Sequence, residues 1–289
     1  MHADGVEALS AEEIRRVVQL ALAEDIGSGD ITTLATVPEG ACGKAVMRAR
    51  EPMVVAGLPL AEAVFRGLSP APRTTRVAGE GDRVKAGQAL LQIEGPARAI
   101  LSAERVALNF VQRLSGIATL TNQFVAAIQG TRARILDTRK TTPGLRWLEK
   151  YAVTCGGGHN HRFGLFDQVL IKDNHLATLR NASPNPIAAA VKCARDQNPQ
   201  RPIEVEADTL EQVEQALAAG ADIVLLDNMN LVQMRVAVQQ AKGQAKTEAS
   251  GGVNLGTVRQ IAETGVDYIS VGALTHSARA VDIALDFEG

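Results

Sequence analysis

Six short apolar segments, each followed by a polar loop and then a helical pattern, constrain the fold of this chain most strongly. They alternate with helices between residues 134 and 271. This alternation predicts parallel strands joined by right-handed helical crossovers, because two parallel strands need a long return connection. The predicted strands cover residues 134–137, 168–172, 203–206, 223–227, 246–249 and 268–271.

The number of strand–helix units limits the architecture. Six units are too few for an eightfold barrel, so we predict an α/β fold with an open or incomplete barrel of about six parallel strands. Polar residues follow nearly every strand, which favours a closed or nearly closed ring around one shared site. An open sheet with helices on both faces is the alternative.

The first part of the chain has a different pattern. Residues 11–25 form a predicted helix with Ser10 as N-cap and Glu13 completing a capping box, and short strands broken by Gly and Pro follow. A long helical stretch comes next, and we expect Ser115-Gly116 to divide it. We predict an N-terminal α/β sandwich domain over residues 1–117, joined by residues 276–289, and a barrel domain over residues 118–275.

Composition and charge narrow the choice of partners. The formal net charge is -2, so we expect neither a nucleic acid nor a membrane as partner, and any cationic site must be local. Three cysteines without a CxxC pair indicate reduced thiols and a cytoplasmic protein. Met1 is followed by His2, Asp4 and Glu7 rather than by a basic and apolar stretch, and no apolar run reaches the ~20 residues that span a bilayer, so we expect neither export nor membrane insertion.

Cations and imidazoles are concentrated after the first two predicted strands. Because isolated cations are costly to bury, this concentration predicts a pocket for a substrate with several negative charges. A solvated basic turn is the alternative interpretation. The residues concerned are Thr138, Arg139, Lys140, His161, Arg162 and Lys172.

Two glycine-containing turns follow the last two predicted strands. Small residues before a helix expose backbone N–H groups to a phosphate, and two such turns at successive strand ends are typical of phosphate sites in α/β barrels. Each turn by itself is also compatible with an ordinary tight connection. The turns contain Ser250, Gly251 and Gly252 in one case and Ser270, Val271 and Gly272 in the other.

Two carboxylates, Glu206 and Asp227, end apolar strands, where an unused charge would be costly. They could hold sugar hydroxyls or Mg²⁺, or pair with Lys172 or Arg139. Asp173 and Glu248 also lie near strand ends, where they could bind metal or pair with Lys172. A zinc site at Cys155, His159 and His161 is disfavoured, because it lacks a fourth ligand and Arg162 would repel the ion.

Motifs along almost the whole chain resemble those of the quinolinate phosphoribosyltransferase family. Together they are far more specific than glycine turns alone. They are EDIGSGDITT (24–33), ERVALN (104–109), LSGIAT (114–119), DTRKTTPG (137–144), GGHNHR (157–162), KDNH (172–175), EVE (204–206) and LDN (226–228).

The resemblance implies transfer of phosphoribosyl from phosphoribosyl pyrophosphate to quinolinate, with decarboxylation, to give nicotinate mononucleotide for NAD synthesis. It implies Mg²⁺ as cofactor and a homo-oligomer, a dimer or a hexamer of dimers. By resemblance, the quinolinate carboxylates are bound by Arg139, His161, Arg162, Lys172 and the neighbouring subunit's Arg105.

The resemblance also assigns the second substrate and the catalytic residues. Lys140 would face the pyrophosphate, Glu206 and Asp227 the ribose hydroxyls and Mg²⁺, and the two glycine turns the 5'-phosphate. The implied catalytic residues are Lys140, Glu206 and Asp227. Two alternatives stay open: a related phosphoribosyl- or nucleoside-processing enzyme of the same fold, and a metabolite-binding regulator without turnover.

Overall fold

The computed structural model describes residues 9–288. The described residues divide into two compact units, of which the first contains residues 9–122, 142–157 and 277–288 and the second contains residues 123–141 and 158–276. In chain order the elements are α1 Ala11–Ile26, α2 Ile31–Thr36, β1 Cys42–Ala49, β2 Met53–Val54, α3 Leu58–Arg66, β3 Arg73–Arg76, β4 Arg83–Val84, β5 Ala89–Pro96, α4 Ala97–Ala127, β6 Arg134–Leu136, α5 Arg146–Cys155, β7 Val169–Ile171, α6 Asp173–Thr178, α7 Pro186–Gln197, β8 Ile203–Ala207, α8 Leu210–Ala218, β9 Ile223–Asp227, α9 Leu231–Ala241, β10 Lys246–Ser250, α10 Val258–Ala262, β11 Tyr268–Ser270, α11 Ala273–His276 and β12 Ile283–Glu288.

The first unit is built on an antiparallel sheet in the order β12-β1-β5-β3. Met47 on β1 and Leu91 on β5 are fully buried, as is Phe65 on α3, so the sheet and helix share an apolar core. The helix predicted over residues 11–25 is confirmed, since Ser10 Oγ accepts a hydrogen bond from the Glu13 N–H at 3.1 Å.

The prediction that Ser115-Gly116 divides the long helix is wrong, because α4 runs without interruption from Ala97 to Ala127. Both residues serve packing instead. Ser115 Oγ accepts a hydrogen bond from the Ala56 N–H at 3.0 Å, and a Cβ on Gly116 would lie 1.9 Å from the carbonyl oxygen of Arg279. Gly116 therefore admits the backbone of residues 279–280 rather than ending the helix.

This packing makes a testable prediction about stability. Helix propensity alone predicts that Gly116→Ala stabilises the protein by about 0.5–1 kcal/mol. Overpacking against Arg279 should reverse the sign and lower the free energy of unfolding by about 1–3 kcal/mol. Urea denaturation measures the difference, with Asn109→Ala on the exposed face of α4 as control. A stabilised Gly116→Ala variant would contradict the packing argument.

The second unit is built on six parallel strands in the order β6-β11-β10-β9-β8-β7. β8 and β9 are mostly buried, as expected for parallel strands covered on both sides. Helices α8 and α9 begin with full capping boxes at Thr209 and Asn230. Among the described strands β6 and β7 are the two sheet edges, so the barrel is not closed.

The predicted fold class, an α/β protein with an incomplete barrel of six parallel strands, is confirmed. The domain limits differ in detail from the compact units. Residues 142–157, which the sequence placed in the barrel domain, belong to the first unit because α5 is tied into it. Glu149 pairs with Arg113 at 3.0 Å, and the Tyr151 hydroxyl donates to Glu80 at 2.7 Å.

α4 is the longest of the described helices, but charged and polar residues interrupt its apolar sequence. Within residues 9–288, no helix combines the length and the apolar character needed to cross a membrane.

Candidate active site

The carboxyl ends of the parallel strands meet at one edge of the second unit. Asp227 at the end of β9 lies beside Ser250 at the end of β10, and the Asn228 N–H donates to the Ser250 carbonyl at 3.0 Å. On the other side, the Val271 N–H donates to the Leu136 carbonyl at 2.9 Å. Register therefore brings residues from distant parts of the sequence to this edge, which is where open and closed α/β sheets bind ligands.

The loop after β6 holds Lys140 at this edge. Thr138 Oγ1 accepts a hydrogen bond from the Lys140 N–H at 3.0 Å, and the Lys140 carbonyl accepts one from the Thr275 hydroxyl at 2.7 Å. The Lys140 side chain is exposed and passes close to Gly272, where a Cβ would lie 3.1 Å from Lys140 Cδ and from His276 Nε2. Gly272 thus leaves room for a lysine and a histidine beside one turn.

His161 and Arg162 are placed by a short segment that runs beside β6. The His159 N–H donates to the Ile135 carbonyl at 2.8 Å, and the His159 carbonyl accepts from the Asp137 N–H at 3.1 Å. Asp137 is fully buried, and its carboxylate accepts the His161 N–H at 2.9 Å. The fixed backbone therefore brings two predicted cationic residues to the end of β6.

The His161 ring faces two buried carboxylates. Nε2 lies 3.2 Å from Glu204 Oε2 and 3.4 Å from Glu248 Oε1. Burial alone would lower the pKa of His161, but the contacts of Nε2 with the two carboxylates and their negative charges outweigh it and raise that pKa to about 10. Burial and the Glu248 charge raise the pKa of Glu204, because two neighbouring buried carboxylates resist ionising together.

Arg139 and Arg162 lie close enough to influence each other. Partial burial and the positive charge of Arg139 lower the pKa of Arg162 from its usual value. Arg162 Nη1 donates to the Gln168 carbonyl at 3.3 Å, which fixes one end of the guanidinium. Two half-buried guanidinium groups side by side favour an anionic ligand, since the ligand would relieve their mutual repulsion.

Lys172 and the strand-end carboxylates are adjacent on neighbouring strands. Lys172 Nζ lies 2.8 Å from Glu206 Oε2, which bears out the predicted alternative that Glu206 pairs with Lys172. Asp227 Oδ2 accepts a hydrogen bond from Asn228 Nδ2 at 2.9 Å. Asp173 is the first residue of α6, and its carboxylate accepts the Asn174 N–H at 2.6 Å. Glu248 faces His161 instead of Lys172.

The two glycine turns differ from the predicted helix-terminus geometry. The helices that follow them, α10 and α11, are short, and α10 begins only at Val258. Gly251 has a φ of +95°, and a Cβ there would lie 2.1 Å from Asn228 Oδ1. The Val271 N–H is already used by Leu136. Any phosphate here would be bound by backbone and side chains of the turns, with little help from a helix dipole.

Two further predicted residues belong to the first unit. Arg105 is exposed on α4, and Cys155 is buried on α5. The Cys155 thiol lies 3.8 Å from Glu80 Oε2, and burial with this negative charge raises the pKa of Cys155. A thiol that resists ionisation is a poor zinc ligand, which argues further against the zinc interpretation.

Sequence reasoning missed several residues that shape the site. Glu204 faces the His161 ring and accepts a hydrogen bond from Gln168. The Thr275 hydroxyl anchors Lys140, and Asn228 leaves no space for a side chain at Gly251. A signal for Glu204 was present in the alternation Ile-Glu-Val-Glu, which puts Glu204 and Glu206 on the same face of β8. The other three depend on packing between distant segments and left no local pattern.

The fold and these side chains define an α/β protein of the phosphoribosyltransferase type, with cationic side chains gathered at the carboxyl ends of its parallel strands. The C-terminal domain of quinolinate phosphoribosyl transferase matches residues 117–286, and its N-terminal domain matches residues 30–115. The chain therefore belongs to the quinolinate phosphoribosyltransferase family.

Individual relatives agree with this membership. The carboxylating nicotinate-nucleotide pyrophosphorylase of Mycobacterium leprae is 46% identical over 94% of this chain and 96% of its own. A probable carboxylating nicotinate-nucleotide pyrophosphorylase of Bacillus subtilis is 41% identical over 95% of this chain and 93% of its own. The solved nicotinate-nucleotide pyrophosphorylase of Francisella tularensis is 40% identical with a TM-score of 0.92, covering 99% of this chain and all of its own.

Proposed function

We propose that this chain transfers the phosphoribosyl group of phosphoribosyl pyrophosphate to quinolinate and decarboxylates the adduct. The products would be nicotinate mononucleotide, carbon dioxide and pyrophosphate, in NAD biosynthesis. The single observation that carries this proposal is family membership over nearly the whole chain, with cations at the strand ends. The reaction requires such charge, because its two substrates bring two carboxylates, a phosphate and a pyrophosphate.

We assign the quinolinate carboxylates to Arg139, His161, Arg162 and Lys172. The proximity of Arg139 and Arg162 supports this assignment, since their repulsion disappears when a dianion binds between or beside them. Lys172 already has a partner in Glu206, 2.8 Å away, which keeps its ammonium group extended toward the strand ends. A partly compensated lysine orients a carboxylate without holding it so tightly that decarboxylation is resisted.

We assign phosphoribosyl pyrophosphate to the other strand ends. Lys140, held by Thr138 and Thr275, would contact the pyrophosphate. Glu206 and Asp227 would accept hydrogen bonds from the ribose hydroxyls. The 5'-phosphate would lie at the two turns that contain Ser250, Gly251, Gly252, Ser270, Val271 and Gly272.

The donor set at these strand ends fits Mg²⁺, because Glu206 and Asp227 present carboxylate oxygens from neighbouring strands. Lys172 occupies one Glu206 oxygen, so a cation held here would need further oxygens from the substrate or water. When bound, Mg²⁺ would supply charge neutralisation for a departing pyrophosphate.

The protein side chains have two tasks in this reaction. Breaking the bond from ribose to pyrophosphate leaves positive charge on the sugar ring, which the carboxylates of Glu206 and Asp227 would stabilise. Lys140 would stabilise the negative charge that develops on the leaving pyrophosphate. No covalent nucleophile is required, because the pyridine nitrogen of quinolinate attacks the sugar directly.

Radiolabelled substrate tests the proposed reaction. The purified chain is incubated with carboxyl-labelled quinolinate, phosphoribosyl pyrophosphate and Mg²⁺, and carbon dioxide, nicotinate mononucleotide and pyrophosphate are measured. We expect the three products in equal amounts, and none when nicotinate replaces quinolinate. Tight quinolinate binding without release of pyrophosphate would instead identify a regulator and overturn the proposal.

We also propose that the protein is a homo-oligomer in which Arg105 completes the partner subunit's site. Arg105 is exposed on α4, where it could reach a second copy. Arg105→Ala and Lys172→Ala should each lose most activity. Mixing the two variants under exchange should restore roughly a quarter of the sites, because half of the random dimers then contain one intact site.

Activity of refolded mixtures measures this complementation, and mixing Arg139→Ala with Lys172→Ala is the control. Those two changes affect the same subunit's part of the site, so no mixture of them regains an intact one. Failure of the first mixture to recover activity would place Arg105 outside the partner's site.

We further propose a cytoplasmic location, supported by free Cys42, Cys155 and Cys193.

A further inference from the structure

A buried group of three titratable side chains lies beneath the assigned quinolinate residues. Glu204 is fully buried and Glu248 is 1% exposed, and both face the Nε2 atom of His161. Glu204 precedes Glu206 by two residues on β8, and Glu248 precedes Ser250 by two on β10. Each pair shares a face of its strand, so the two carboxylates lie one layer deeper than the ligand residues.

The burial of both carboxylates needs an explanation. Burying a charge is costly unless donors compensate it, and here the compensation is incomplete. Gln168 Nε2 donates to Glu204 Oε2 at 2.8 Å. Within residues 9–288, Glu204 Oε1 accepts no hydrogen bond, and Glu248 Oε1 has only the charge contact with His161 Nε2 at 3.4 Å, which does not have hydrogen-bond geometry. Two buried acids that converge on one imidazole are an arrangement that stability alone does not favour, which points to a role in the site.

We propose that Glu204 and Glu248 are positioning residues that fix the His161 ring, whose Nδ1 accepts the Arg162 N–H and so holds the backbone of that arginine in the site. The inference rests on the proposed function, in which His161 and Arg162 bind quinolinate. The carboxylates act through the ring and do not contact the ligand. They lock the Nε2–H direction and thereby remove the rotational freedom that an exposed histidine would lose on binding.

A second contact fixes the ring at its other nitrogen. The backbone N–H of Arg162 donates to His161 Nδ1 at 2.6 Å. With Nε2 at the two carboxylates and Nδ1 at this N–H, the ring cannot turn without losing one of these contacts. The carboxylates therefore also hold the backbone that carries the Arg162 guanidinium.

A double-mutant cycle tests the proposal. Glu248→Gln keeps the side-chain volume and removes the charge. We expect it to raise KM for quinolinate by about tenfold, because it removes one of the two charges that hold the ring, and to leave KM for phosphoribosyl pyrophosphate unchanged. In a His161→Asn background, Glu248→Gln should have no further effect on KM for quinolinate, because its partner is gone.

Rescue and a matched control sharpen the cycle. Glu248→Asp, which keeps the charge, should give a KM between those of the unaltered protein and Glu248→Gln. Thr247→Val, a change at the adjacent buried position on the same strand, should leave KM for quinolinate unchanged. Additive effects of His161→Asn and Glu248→Gln, or equal changes in both KM values, would show a merely structural role and overturn the proposal.

Two measurements do not depend on turnover. In protein labelled with ¹⁵N-histidine, the His161 ring signals, assigned from His161→Asn, should shift in Glu248→Gln; unchanged signals would overturn the proposal even if the enzyme is active. If unaltered protein lacks activity but this shift occurs, the proposed function fails and the positioning contact stands.

His161, Glu204 and Glu248 also have the spacing of metal ligands. Stoichiometric zinc in purified protein, measured by mass spectrometry, would overturn the proposal in favour of a metal site.

Discussion

Replacing Arg139 with alanine is expected to lower kcat/KM for quinolinate by about a thousandfold. Truncating one partner of a buried charge pair typically costs about 2–5 kcal/mol. A thousandfold loss corresponds to about 4 kcal/mol, which lies within this range. The change removes a half-buried guanidinium beside Arg162 while leaving the strand that carries it intact. The loss should appear mainly as a higher KM for quinolinate, because the side chain is assigned to substrate binding.

Steady-state kinetics with quinolinate varied at saturating phosphoribosyl pyrophosphate measures the effect. Arg235→Ala, which removes an exposed arginine on α9, is the control and should be silent. Arg139→Lys should recover only part of the loss, since an ammonium group cannot replace a bidentate guanidinium. Near-normal turnover by Arg139→Ala would remove this residue from the site.

The second large effect is expected for Gly251→Ala. A Cβ at this position would lie 2.1 Å from Asn228 Oδ1, and the φ of +95° is strained for any residue with a side chain. The Asn228 side chain must leave its position, and the unfavourable φ drives the turn itself to move, and with it the proposed 5'-phosphate site. We expect kcat/KM for phosphoribosyl pyrophosphate to fall at least about a hundredfold, the effect of misplacing a binding group by about 1 Å.

Gly243→Ala separates this effect from backbone strain. Gly243 has a φ of +78°, but nothing lies within 4 Å of a Cβ there. Its substitution should lower stability slightly and leave both KM values unchanged. If Gly251→Ala kept a normal KM for phosphoribosyl pyrophosphate, the phosphate would have to bind elsewhere.

The accuracy of the sequence predictions varied with the range of the interactions involved. β9 was predicted over residues 223–227 and spans Ile223–Asp227, because an apolar run between a glycine and a polar loop is a local signal. The N-cap residue Ser10 likewise identified the start of α1, but Glu13 does not complete the predicted capping box, because its carboxylate pairs with Arg16. The prediction that Ser115-Gly116 divides the long helix was wrong for the opposite reason. Gly116 is needed for packing against Arg279, which is far away in the sequence.

The expected role of the glycine turn at residues 250–252 also needed correction. Small residues directly before a helix were predicted there, but α10 begins only at Val258. The Asn254 side chain accepts the Gly256 N–H at 2.9 Å and holds the preceding residues in a turn. Short polar side chains often compete with helix hydrogen bonding in this way, and periodicity does not reveal it.

By itself the sequence determined the α/β class, the alternation of parallel strands with helices, and the family. These follow from local periodicity and from motifs that need no knowledge of packing. Only the tertiary structure decided that Glu204 and Glu248 converge on His161, that Lys172 pairs with Glu206, and that the barrel is not closed. These features depend on the register between strands and on burial, which bring together side chains that no local pattern connects.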